Sequence, residues 1–446
     1  MSLRSQSAAS LRGTVRLPGD KSISHRAALL AAMAAGRSRI DGMLRAGVTQ
    51  VMLNSLTALQ VEWSWDGEAL IVEGAGRRGF QSPSAPGAGE AKPLYCGNSA
   101  TTMRLLTGAL AGQPGWILSS IQPEFILDGS KQLQKRTMNR VIAPLCEMGA
   151  ELRSIEGTGC APLALKQSPL KGIEYRTPVA SAQVKSAILF AGLQALGSTL
   201  VEEPSPSRDH TERLFRWLGV RVEAEPCRAR VFPLQEPLPP LTFKVPGDFS
   251  SAAFLLAAAS IVPGSDVLVQ GVGLNPRRTG LLAGLRRMGA EITEEAQTVS
   301  AGEPVGDLRV RARPLKGTVI EGGEVVDMID EFPVLAVAAA CAEGVTEVRH
   351  AAELRHKESD RISVLAGELR KLGIDITESP DGFSIHGPAR IPGGMADSHG
   401  DHRLAMSLAV AGMVSGNGVE IERPECIAES FPGFGKLFNS LGARLS

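Results

Sequence analysis

A short unit recurs along this chain and restricts its fold more than any other feature. An apolar residue and a glycine are followed by a few residues that alternate like a strand. The glycine is typical of a left-handed helix stop, so each copy predicts the end of a helix and the start of a strand. Successive copies are about 70 to 90 residues apart, which is too long for a solenoid repeat and suits a βαβαββ unit. The copies begin at Met148, Leu218, Met288, Leu372 and Leu441, with a degenerate copy that lacks the glycine at Leu59.

The two halves of the chain also resemble each other. Residues 17–20 read Leu-Pro-Gly-Asp and residues 245–248 read Val-Pro-Gly-Asp, and each is followed by a stretch rich in Ala and Leu. A Pro-rich stretch at 232–246 precedes the second copy and is typical of a connection between domains. The sequence therefore predicts an α/β protein of two similar domains, each made of three βαβαββ units.

Composition excludes several classes of protein. Of the 446 residues 43% are hydrophobic, and 47 basic residues balance 47 acidic ones, which argues against a general nucleic-acid binder. The six cysteines are scattered, a pattern that suits neither a zinc site nor a disulfide framework and fits a reducing compartment. Because no apolar run is long enough to span a bilayer and the first ten residues lack an apolar signal core, we expect a cytoplasmic protein.

The start of the first predicted helix carries two cations and two hydroxyls. Lys21, Ser22, Ser24 and Arg26 fall in its first turns. A helix N-terminus has unpaired N–H groups and a partial positive charge, so basic residues there indicate a site for a phosphate or a carboxylate. The alternative is a capped helix with solvated basic residues, and this stretch alone does not separate the two.

Further polar clusters precede or open other apolar stretches. Each could be an ordinary capped or salt-bridged helix start, but five or six repetitions are hard to explain as solvated surface. If the six units converge, the cations form a pocket for a substrate with several anionic groups, and the carboxylates among them serve proton transfer. The clusters span residues 96–104, 135–140, 180–186, 208–213, 327–331, 356–361 and 401–403.

Five of these motifs occur in an order that resembles the 5-enolpyruvylshikimate-3-phosphate synthases. Each motif alone is modest, but the ordered set is specific, and the resemblance runs from about residue 11 to the end of the chain. The motifs are LPGDKSISHR from Leu17, GNSATTMR from Gly97, SAQVKSA from Ser181, RHKESDR from Arg355 and DHR from Asp401.

The resemblance implies the enolpyruvyl transferase fold, with two domains of three βαβαββ units each. In this family the chain leaves its first domain and returns, which implies a first domain at 21–241 and a second at 242–446 that residues 1–20 join. The implied reaction transfers the enolpyruvyl group of phosphoenolpyruvate to the 5-hydroxyl of shikimate 3-phosphate and releases phosphate. No metal and no organic cofactor is implied, and we expect a monomer.

The motif matches imply two sets of binding residues, both rich in cations as two anionic substrates require. The set for shikimate 3-phosphate is Lys21, Ser22, Arg26, Ser181, Ala182, Gln183, Arg208, Asp330 and Lys357. The set for phosphoenolpyruvate is Lys21, Asn98, Ala100, Arg104, Arg136, Gln183, Arg361 and Arg403.

Three residues carry the catalysis that the resemblance implies. Asp330 matches the carboxylate that takes the proton of the 5-hydroxyl, and Glu358 matches the acid that protonates the methylene of phosphoenolpyruvate. Lys21 is the third, and Lys357 binds substrate and balances charge. The reaction is an addition followed by an elimination, in which cations stabilise the charge that develops at the tetrahedral centre.

Three positions depart from the commonest pattern of the family. Ala100 stands where Gly is commonest, and Glu429 stands where many members have a Lys that faces the substrate. Both departures match the variant branch of the family that tolerates glyphosate. Thr137 follows Arg136 where Pro is usual, which bears on the loop that places Arg136.

Two alternatives stay open at this stage. The sister enolpyruvyl transferase that acts on UDP-N-acetylglucosamine shares the fold, but it normally carries a Cys in the loop equivalent to residues 128–136, where this chain has none. It also lacks the Lys-Glu-Ser-Asp-Arg run. The other alternative is a non-catalytic anion-binding protein on the same fold, and the presence of both Asp330 and Glu358 beside the cations argues against it.

Overall fold

The computed structural model describes residues 2–83, 92–112, 124–357 and 359–446. The low-complexity turn that the sequence predicts at residues 80–92 falls largely outside the described residues, and so does Glu358. Among the described helices, none has both the length and the apolar character needed to cross a membrane.

Contacts between residues divide the chain into two units. The first unit comprises Lys21–Val245 and the short segment Ser300–Glu303. The second unit comprises Met1–Asp20, Pro246–Val299 and Pro304–Ser446. Each unit is therefore built from more than one segment of the chain.

The first unit contains six α-helices, two 3₁₀ turns and three four-stranded sheets in its described part. The helices are α1 (Lys21–Met33), α2 (Gly47–Ala58), α3 (Ala100–Ala111), α4 (Asn139–Glu147), α5 (Ala182–Gly192) and α6 (His210–Trp217). The 3₁₀ turns are Gly76–Arg78 and Leu133–Lys135. In spatial order, the strands of the first sheet are Thr242–Lys244, Arg37–Asp41, Ala69–Glu73 and Glu62–Asp66. Those of the second sheet are Leu94–Tyr95, Glu124–Asp128, Leu163–Lys166 and Glu151–Ser154. Those of the third sheet are Glu174–Arg176, Thr199–Glu202, Arg228–Val231 and Val222–Glu225. A further parallel pair joins Leu170–Lys171 to Ala195–Leu196.

The second unit follows the same plan. Its helices are α7 (Phe249–Ile261), α8 (Gly280–Arg287), α9 (Gly323–Asp327), α10 (Phe332–Ala340), α11 (Arg361–Lys371), α12 (His402–Met413) and α13 (Phe434–Ser440). The 3₁₀ turns are Ala352–His356 and Pro424–Glu429. In spatial order, the strands of its first sheet are Arg12–Arg16, Asp266–Gly273, Glu303–Arg311 and Glu291–Ser300. Those of its second sheet are Val319–Ile320, Gly344–Val348, Gly382–Gly387 and Asp375–Ser379. Those of its third sheet are Gly394–Asp397, Val419–Glu422, Ser2–Gln6 and Arg444–Leu445.

All six four-stranded sheets share one topology. In each, an edge strand runs parallel to its neighbour, and that neighbour runs antiparallel to the third strand. A parallel pair needs a crossover connection, and in four of the sheets a helix lies between its two strands, namely α3, α5, α10 or α12. The prediction of an α/β fold with six βαβαββ units is therefore confirmed.

The recurring glycines stop the helices as the sequence predicts. Gly149, Gly219, Gly289, Gly373 and Gly442 all have a positive φ, between 80° and 107°. Gln60, which stands in the degenerate first copy, adopts a φ of 60° as well. The chain therefore keeps the left-handed helix stop in all six units, at Gln60 without the help of a glycine.

In each unit three helices form the centre of the core. They are α1, α3 and α5 in the first unit and α7, α10 and α12 in the second, and nearly all their residues are buried. Close packing requires small residues, because a Cβ at Gly108 of α3 would lie 2.2 Å from the carbonyl oxygen of Ala187 in α5. Most of the polar clusters predicted from the sequence stand at or just before the starts of these inner helices.

Candidate functional site

The start of α1 separates the two cations that the sequence predicts there. Lys21 and Ser22 are partly exposed. Arg26, one turn later, is 2% exposed, and its guanidinium donates to Thr211 Oγ1 at 2.7 Å, Ser186 Oγ at 2.7 Å and Ser22 O at 2.9 Å. Arg26 therefore ties α1 to α5 and α6, and its contact with shikimate 3-phosphate stays a prediction.

His25 is a buried polar residue of α1 to which the sequence gave no role. Its Nδ1 lies 2.7 Å from Lys21 O, and its Nε2 lies 3.1 Å from Val48 O and 3.3 Å from Ser99 Oγ. Burial lowers the pKa of the imidazole to about 4, so His25 is neutral at pH 7. The neutral ring links α1 to the residue that precedes α3.

The Asn-Ser-Ala segment forms the capped start of α3. Ser99 Oγ accepts from Thr102 N at 3.2 Å, and Asn98 Nδ2 donates to Gln132 Oε1 at 2.9 Å. Ala100 is the first residue of the helix and is 3% exposed. Serine is a common N-cap residue, and anion binding by this segment stays a prediction.

Arg104 and Gln183, both predicted to contact phosphoenolpyruvate, meet between α3 and α5. Arg104 Nη1 donates to Gln183 Oε1 at 2.6 Å, and Gln183 Nε2 donates to Thr101 Oγ1 at 2.9 Å. Arg104 Nη2 also donates to Thr137 O at 3.3 Å, next to the partly exposed Arg136. The structure thus brings Arg104 and Gln183 together. Arg104 also contacts the backbone oxygen of Thr137, the residue that follows Arg136.

One buried carboxylate holds two segments that are predicted to contact shikimate 3-phosphate. Glu203 Oε1 accepts from Ser181 N at 3.1 Å, and Glu203 Oε2 accepts from Ser207 Oγ at 2.8 Å. Ser181 and Ala182 at the start of α5 are partly exposed, as is Arg208, which follows Ser207. The sequence gave no role to Glu203.

In the second unit Asp330 lies between two of the predicted arginines. Its Oδ1 is 3.3 Å from Arg361 Nη1, and its Oδ2 is 3.6 Å from Arg403 Nη2. Arg403 Nη1 also donates to the backbone oxygen of Asp330 at 3.3 Å. The side chain of Asp330 keeps 17% of its surface exposed, so a ligand or solvent can reach it.

Asp401 holds the guanidinium of Arg361 and the backbone of Arg403. Its Oδ2 accepts from Arg361 Nε at 2.8 Å, and its Oδ1 caps α12 by accepting from Arg403 N at 2.9 Å. The side chain is fully buried. Asp401 belongs to the predicted Asp-His-Arg motif, but the sequence did not show that it would pair with Arg361, 40 positions away.

Arg278 is a part of this cluster that the sequence did not predict. It is 3% exposed, and its Nη2 lies 2.7 Å from Asp248 Oδ1 and 3.2 Å from Asp20 Oδ2. Its Nη1 lies 3.9 Å from Asp330 Oδ2. Burial opposes the charge, but Asp20 and Asp248 outweigh it and hold the pKa of the guanidinium above its usual value. The duplicated Pro-Gly-Asp segments were the only signal, because each supplies one of these carboxylates.

The remaining predicted positions lie on loops. Lys357 is partly exposed in the loop before α11, and Glu358 beside it lies outside the described residues. Glu429 is partly exposed at the end of a 3₁₀ turn, and Thr137 is exposed. The loop that holds Lys357 leads into Asp360, whose Oδ1 caps α11 through Ile362 N and Ser363 N.

The two units therefore offer different chemistry. The first presents partly exposed cations, hydroxyls and an amide near the starts of buried helices, groups that suit the binding of phosphate and carboxylate. The second presents a carboxylate within reach of two guanidiniums, an arrangement that can take a proton beside bound anions. Each of these two descriptions applies to one unit considered separately.

Comparison with known proteins agrees with these features. Residues 5–437 match the family model described as EPSP synthase (3-phosphoshikimate 1-carboxyvinyltransferase). The chain is 47% identical over 437 residues to a 3-phosphoshikimate 1-carboxyvinyltransferase of Citrifermentans bemidjiense, covering 98% of each chain. It is 48% identical over 443 residues to a protein of the same name from Xanthomonas campestris pv. campestris, covering 99% of this chain and 97% of the other.

Solved structures give the same result. An EPSP synthase from Acinetobacter baumannii is 39% identical with a TM-score of 0.87, and all of both chains is covered. The enolpyruvyl transferase NikO from Streptomyces tendae is 18% identical with a TM-score of 0.75, covering 100% of this chain and 98% of that one, and shows a likeness of fold alone. From the nearly full-length family match and the relatives above 45% identity, this chain belongs to the EPSP synthase family.

Proposed function

We propose that this chain is a 3-phosphoshikimate 1-carboxyvinyltransferase. It transfers the enolpyruvyl group of phosphoenolpyruvate to the 5-hydroxyl of shikimate 3-phosphate and releases phosphate, a step of the shikimate pathway to aromatic amino acids. The observation that carries the proposal is the Asp330 cluster, in which a partly exposed carboxylate lies 3.3 Å from Arg361 and 3.6 Å from Arg403. A non-catalytic anion-binding protein would have no need of an accessible carboxylate among the cations that bind its anion.

The binding roles follow the two sets of residues named from the sequence. Arg104 and Gln183 hold phosphoenolpyruvate in the first unit, and their 2.6 Å hydrogen bond fixes the direction of the guanidinium. Arg361 and Arg403, which belong to the second unit, are members of the same phosphoenolpyruvate set. Ser181 and the partly exposed segments around it hold shikimate 3-phosphate, together with Lys21, Ser22, Ala182, Arg208 and Lys357.

The mechanism is an addition followed by an elimination. The oxygen of the 5-hydroxyl attacks the central carbon of phosphoenolpyruvate while Asp330 takes the hydroxyl proton. Glu358 gives a proton to the methylene carbon of phosphoenolpyruvate. The C–O bond to phosphate then breaks as the ionised Glu358 takes back a proton from the new methyl group, which restores the double bond. Asp330 gives its proton to the departing phosphate. Lys21 and the arginines stabilise the charge that develops on the tetrahedral intermediate. No step in this proposal uses a metal or an organic cofactor.

Release of phosphate tests the proposal directly. The purified chain should release phosphate from phosphoenolpyruvate only when shikimate 3-phosphate is present, with one phosphate per enolpyruvyl group transferred. UDP-N-acetylglucosamine in place of shikimate 3-phosphate is the control for the sister transferase. Release that depends on the nucleotide sugar, or no release with either acceptor, would refute the proposal.

We further propose that the enzyme belongs to the glyphosate-tolerant branch of the family. Ala100 and Glu429 are the two residues that support this placement. Glyphosate occupies the phosphoenolpyruvate subsite in this family, and a methyl group at the start of α3 reduces the space there. Inhibition by glyphosate, measured against phosphoenolpyruvate, tests this proposal.

The organisation of the protein is also a proposal. We propose two domains at 21–241 and 242–446, with residues 1–20 joining the second, in a cytoplasmic monomer. The supporting observation is that contacts divide the chain into two units near these bounds. The strand Thr242–Lys244 pairs within the first unit, so the units divide at 245–246, and the segment 300–303 also belongs to the first unit. Light scattering on the purified protein tests the oligomeric state.

A further inference from the structure

A buried ion cluster lies behind the start of α5 and takes no part in the proposed chemistry. Lys185 Nζ is 2.8 Å from Glu203 Oε2 and 2.8 Å from Glu212 Oε1, and none of the three side chains is more than 4% exposed. Burial opposes the charge of Lys185, but Glu212 and Glu203 outweigh it and hold the pKa of the ammonium above its usual value. Lys185 is therefore charged and stands between two acidic side chains.

The two carboxyl groups differ in what else they contact. Glu203 also accepts from Ser181 N at 3.1 Å and from Ser207 Oγ at 2.8 Å, so it joins the start of α5 to the segment before Arg208. Glu212 Oε1 faces Lys185, and its Oε2 has no hydrogen-bond partner among the residues that the structure describes. Of the two carboxyl groups, only that of Glu203 bonds to Ser181 and Ser207 in the described part of the chain, and Lys185 Nζ also lies 3.5 Å from Ser207 O.

Stability alone does not account for such a cluster. Charges lose their hydration when buried, and replacing a buried ion network with apolar side chains is often neutral or stabilising. A buried carboxylate whose two oxygens are both bonded can instead select one geometry among several. Both oxygens of Glu203 bind groups beside the substrate-binding residues, which favours a role in geometry.

We propose that Glu203 is a positioning residue for the shikimate 3-phosphate site, with Lys185 and Glu212 holding it in place. Glu203 fixes the backbone of Ser181 and the hydroxyl of Ser207, and through them the positions from which Ser181 and Arg208 meet the substrate. The inference rests on the proposed function, because it concerns the substrate named there.

The test compares two substitutions that remove the same charge from the same cluster. Glu203→Met and Glu212→Met each leave Lys185 with one carboxylate partner, but only Glu203→Met removes the acceptor of Ser181 and Ser207. Loss of buried hydrogen bonds of this kind should raise the KM for shikimate 3-phosphate about tenfold in Glu203→Met and less than about threefold in Glu212→Met. Glu203→Gln keeps an acceptor oxygen and should bring the KM back towards the wild-type value.

A purely structural role predicts a different result. It would lower the thermal midpoint of both Met variants and leave the KM for shikimate 3-phosphate of their folded fractions equal. Equal KM values, or no recovery in Glu203→Gln, would overturn the proposal. Calorimetric titration with shikimate 3-phosphate alone should reproduce the same order of affinities.

A second pair of variants applies if Glu203→Met does not fold. Both members carry Lys185→Met and Glu212→Met, which removes the other two charges, and they differ only in having Glu203→Met or Glu203→Gln. The Gln member should have the lower KM by about tenfold, and equal values would refute the positioning role. A wild-type chain without phosphate release would refute the proposed function instead, so the two failures are distinguishable.

Discussion

Arg104 in the first unit and Arg361 in the second have different hydrogen-bond partners. In the first unit Arg104 donates to the amide oxygen of Gln183 and to the carbonyl of Thr137. In the second unit Arg361 lies against the carboxylates of Asp401 and Asp330, at 2.8 Å and 3.3 Å. Neutral oxygens orient a guanidinium without cancelling its charge, whereas carboxylates orient it and also cancel its charge.

The difference assigns distinct tasks to the two units. A guanidinium oriented by neutral oxygens leaves attraction available for an incoming phosphate or carboxylate. A cluster in which arginines and carboxylates balance each other keeps its charges buried at low cost and holds a base in a set position. The first unit is thus suited to capture substrate anions, and the second to proton transfer. Four predictions test this division.

The largest effect should come from the base of the second unit. Asp330→Asn keeps the side-chain volume but cannot accept a proton, so turnover should fall by about 10²- to 10⁴-fold while the fold persists. Asp327→Asn, three positions earlier, is the matched control and should keep most activity. The measurement is the rate of phosphate release at saturating substrates, and near-normal turnover in Asp330→Asn would remove this residue from the mechanism.

Stability should distinguish the two kinds of arginine. Arg361→Met leaves the fully buried Asp401 without its 2.8 Å partner, and breaking a buried pair costs about 3–5 kcal/mol. Arg104→Met removes hydrogen bonds to the amide oxygen of Gln183 and the carbonyl of Thr137, at a cost of about 1–2 kcal/mol. Urea unfolding gives both values, and Arg349→Met, at an exposed ion pair, controls for loss of charge. Equal destabilisation at Arg361 and Arg104 would contradict the comparison.

Lowering the pH should reduce the stability of both units. In the first unit the loss should begin at a higher pH, through His25, than it does in the second unit, where capping carboxylates such as Asp360 are protonated. The pKa of His25 is about 4 in the fold against 6.5 when unfolded, so the unfolded chain binds the proton first and stability falls as pH drops from 6.5 to 4. Asp360, whose pKa is held below 3.8, loses its contribution only below that value.

The His25 effect is measurable by urea unfolding at pH 7 and pH 4.5. Burial, together with the positive charges of Lys21 and Arg26, separates the two pKa values. The loss of stability between pH 7 and pH 4.5 should be about 2–3 kcal/mol. In His25→Gln this part of the loss should vanish, because Gln has no proton to gain. An identical pH slope in both proteins would show that His25 is already protonated or exposed.

Local chemistry explains why so much of the fold could be predicted. A helix stop needs only a residue with positive φ, and the five glycines of the repeat provide it within a few residues of sequence. Gln60 shows the limit, since a tertiary setting imposes the same φ on a residue that does not favour it. The segment at residues 300–303, which packs with the first unit, had no signal in the sequence.

The sequence named candidate residues of the site but not the contacts among them. The resemblance pointed to Asp330, Arg361 and Arg403, and the structure brings these three together, while their roles stay predictions. Arg278 was missed because its partner Asp20 is 258 positions away and no local pattern connects them. Arg26 was expected at the substrate, yet the hydroxyls of α5 and α6 surround it, which depends on how the helices pack.

The smallest effect concerns Ala100 in the first unit, where capture of anions depends on space as well as charge. Glycine lets a ligand approach the backbone closely, and Ala100 adds one methyl to the start of α3. Phosphoenolpyruvate is short and planar, whereas glyphosate is longer, so the methyl should clash with the inhibitor more than with the substrate. Overpacking of this kind costs about 1–3 kcal/mol, which corresponds to about 10- to 100-fold in affinity. Ala100→Gly should therefore be inhibited by glyphosate at concentrations lower by that factor, with little change in the KM for phosphoenolpyruvate.

Because Ala100 is 3% exposed, its methyl already contacts protein atoms, and a pocket that relaxes around it would give equal inhibition constants for the two proteins. Measuring both constants against phosphoenolpyruvate, with thermal midpoints as the control for a weakened helix start, decides between a methyl that limits the subsite and one that only packs.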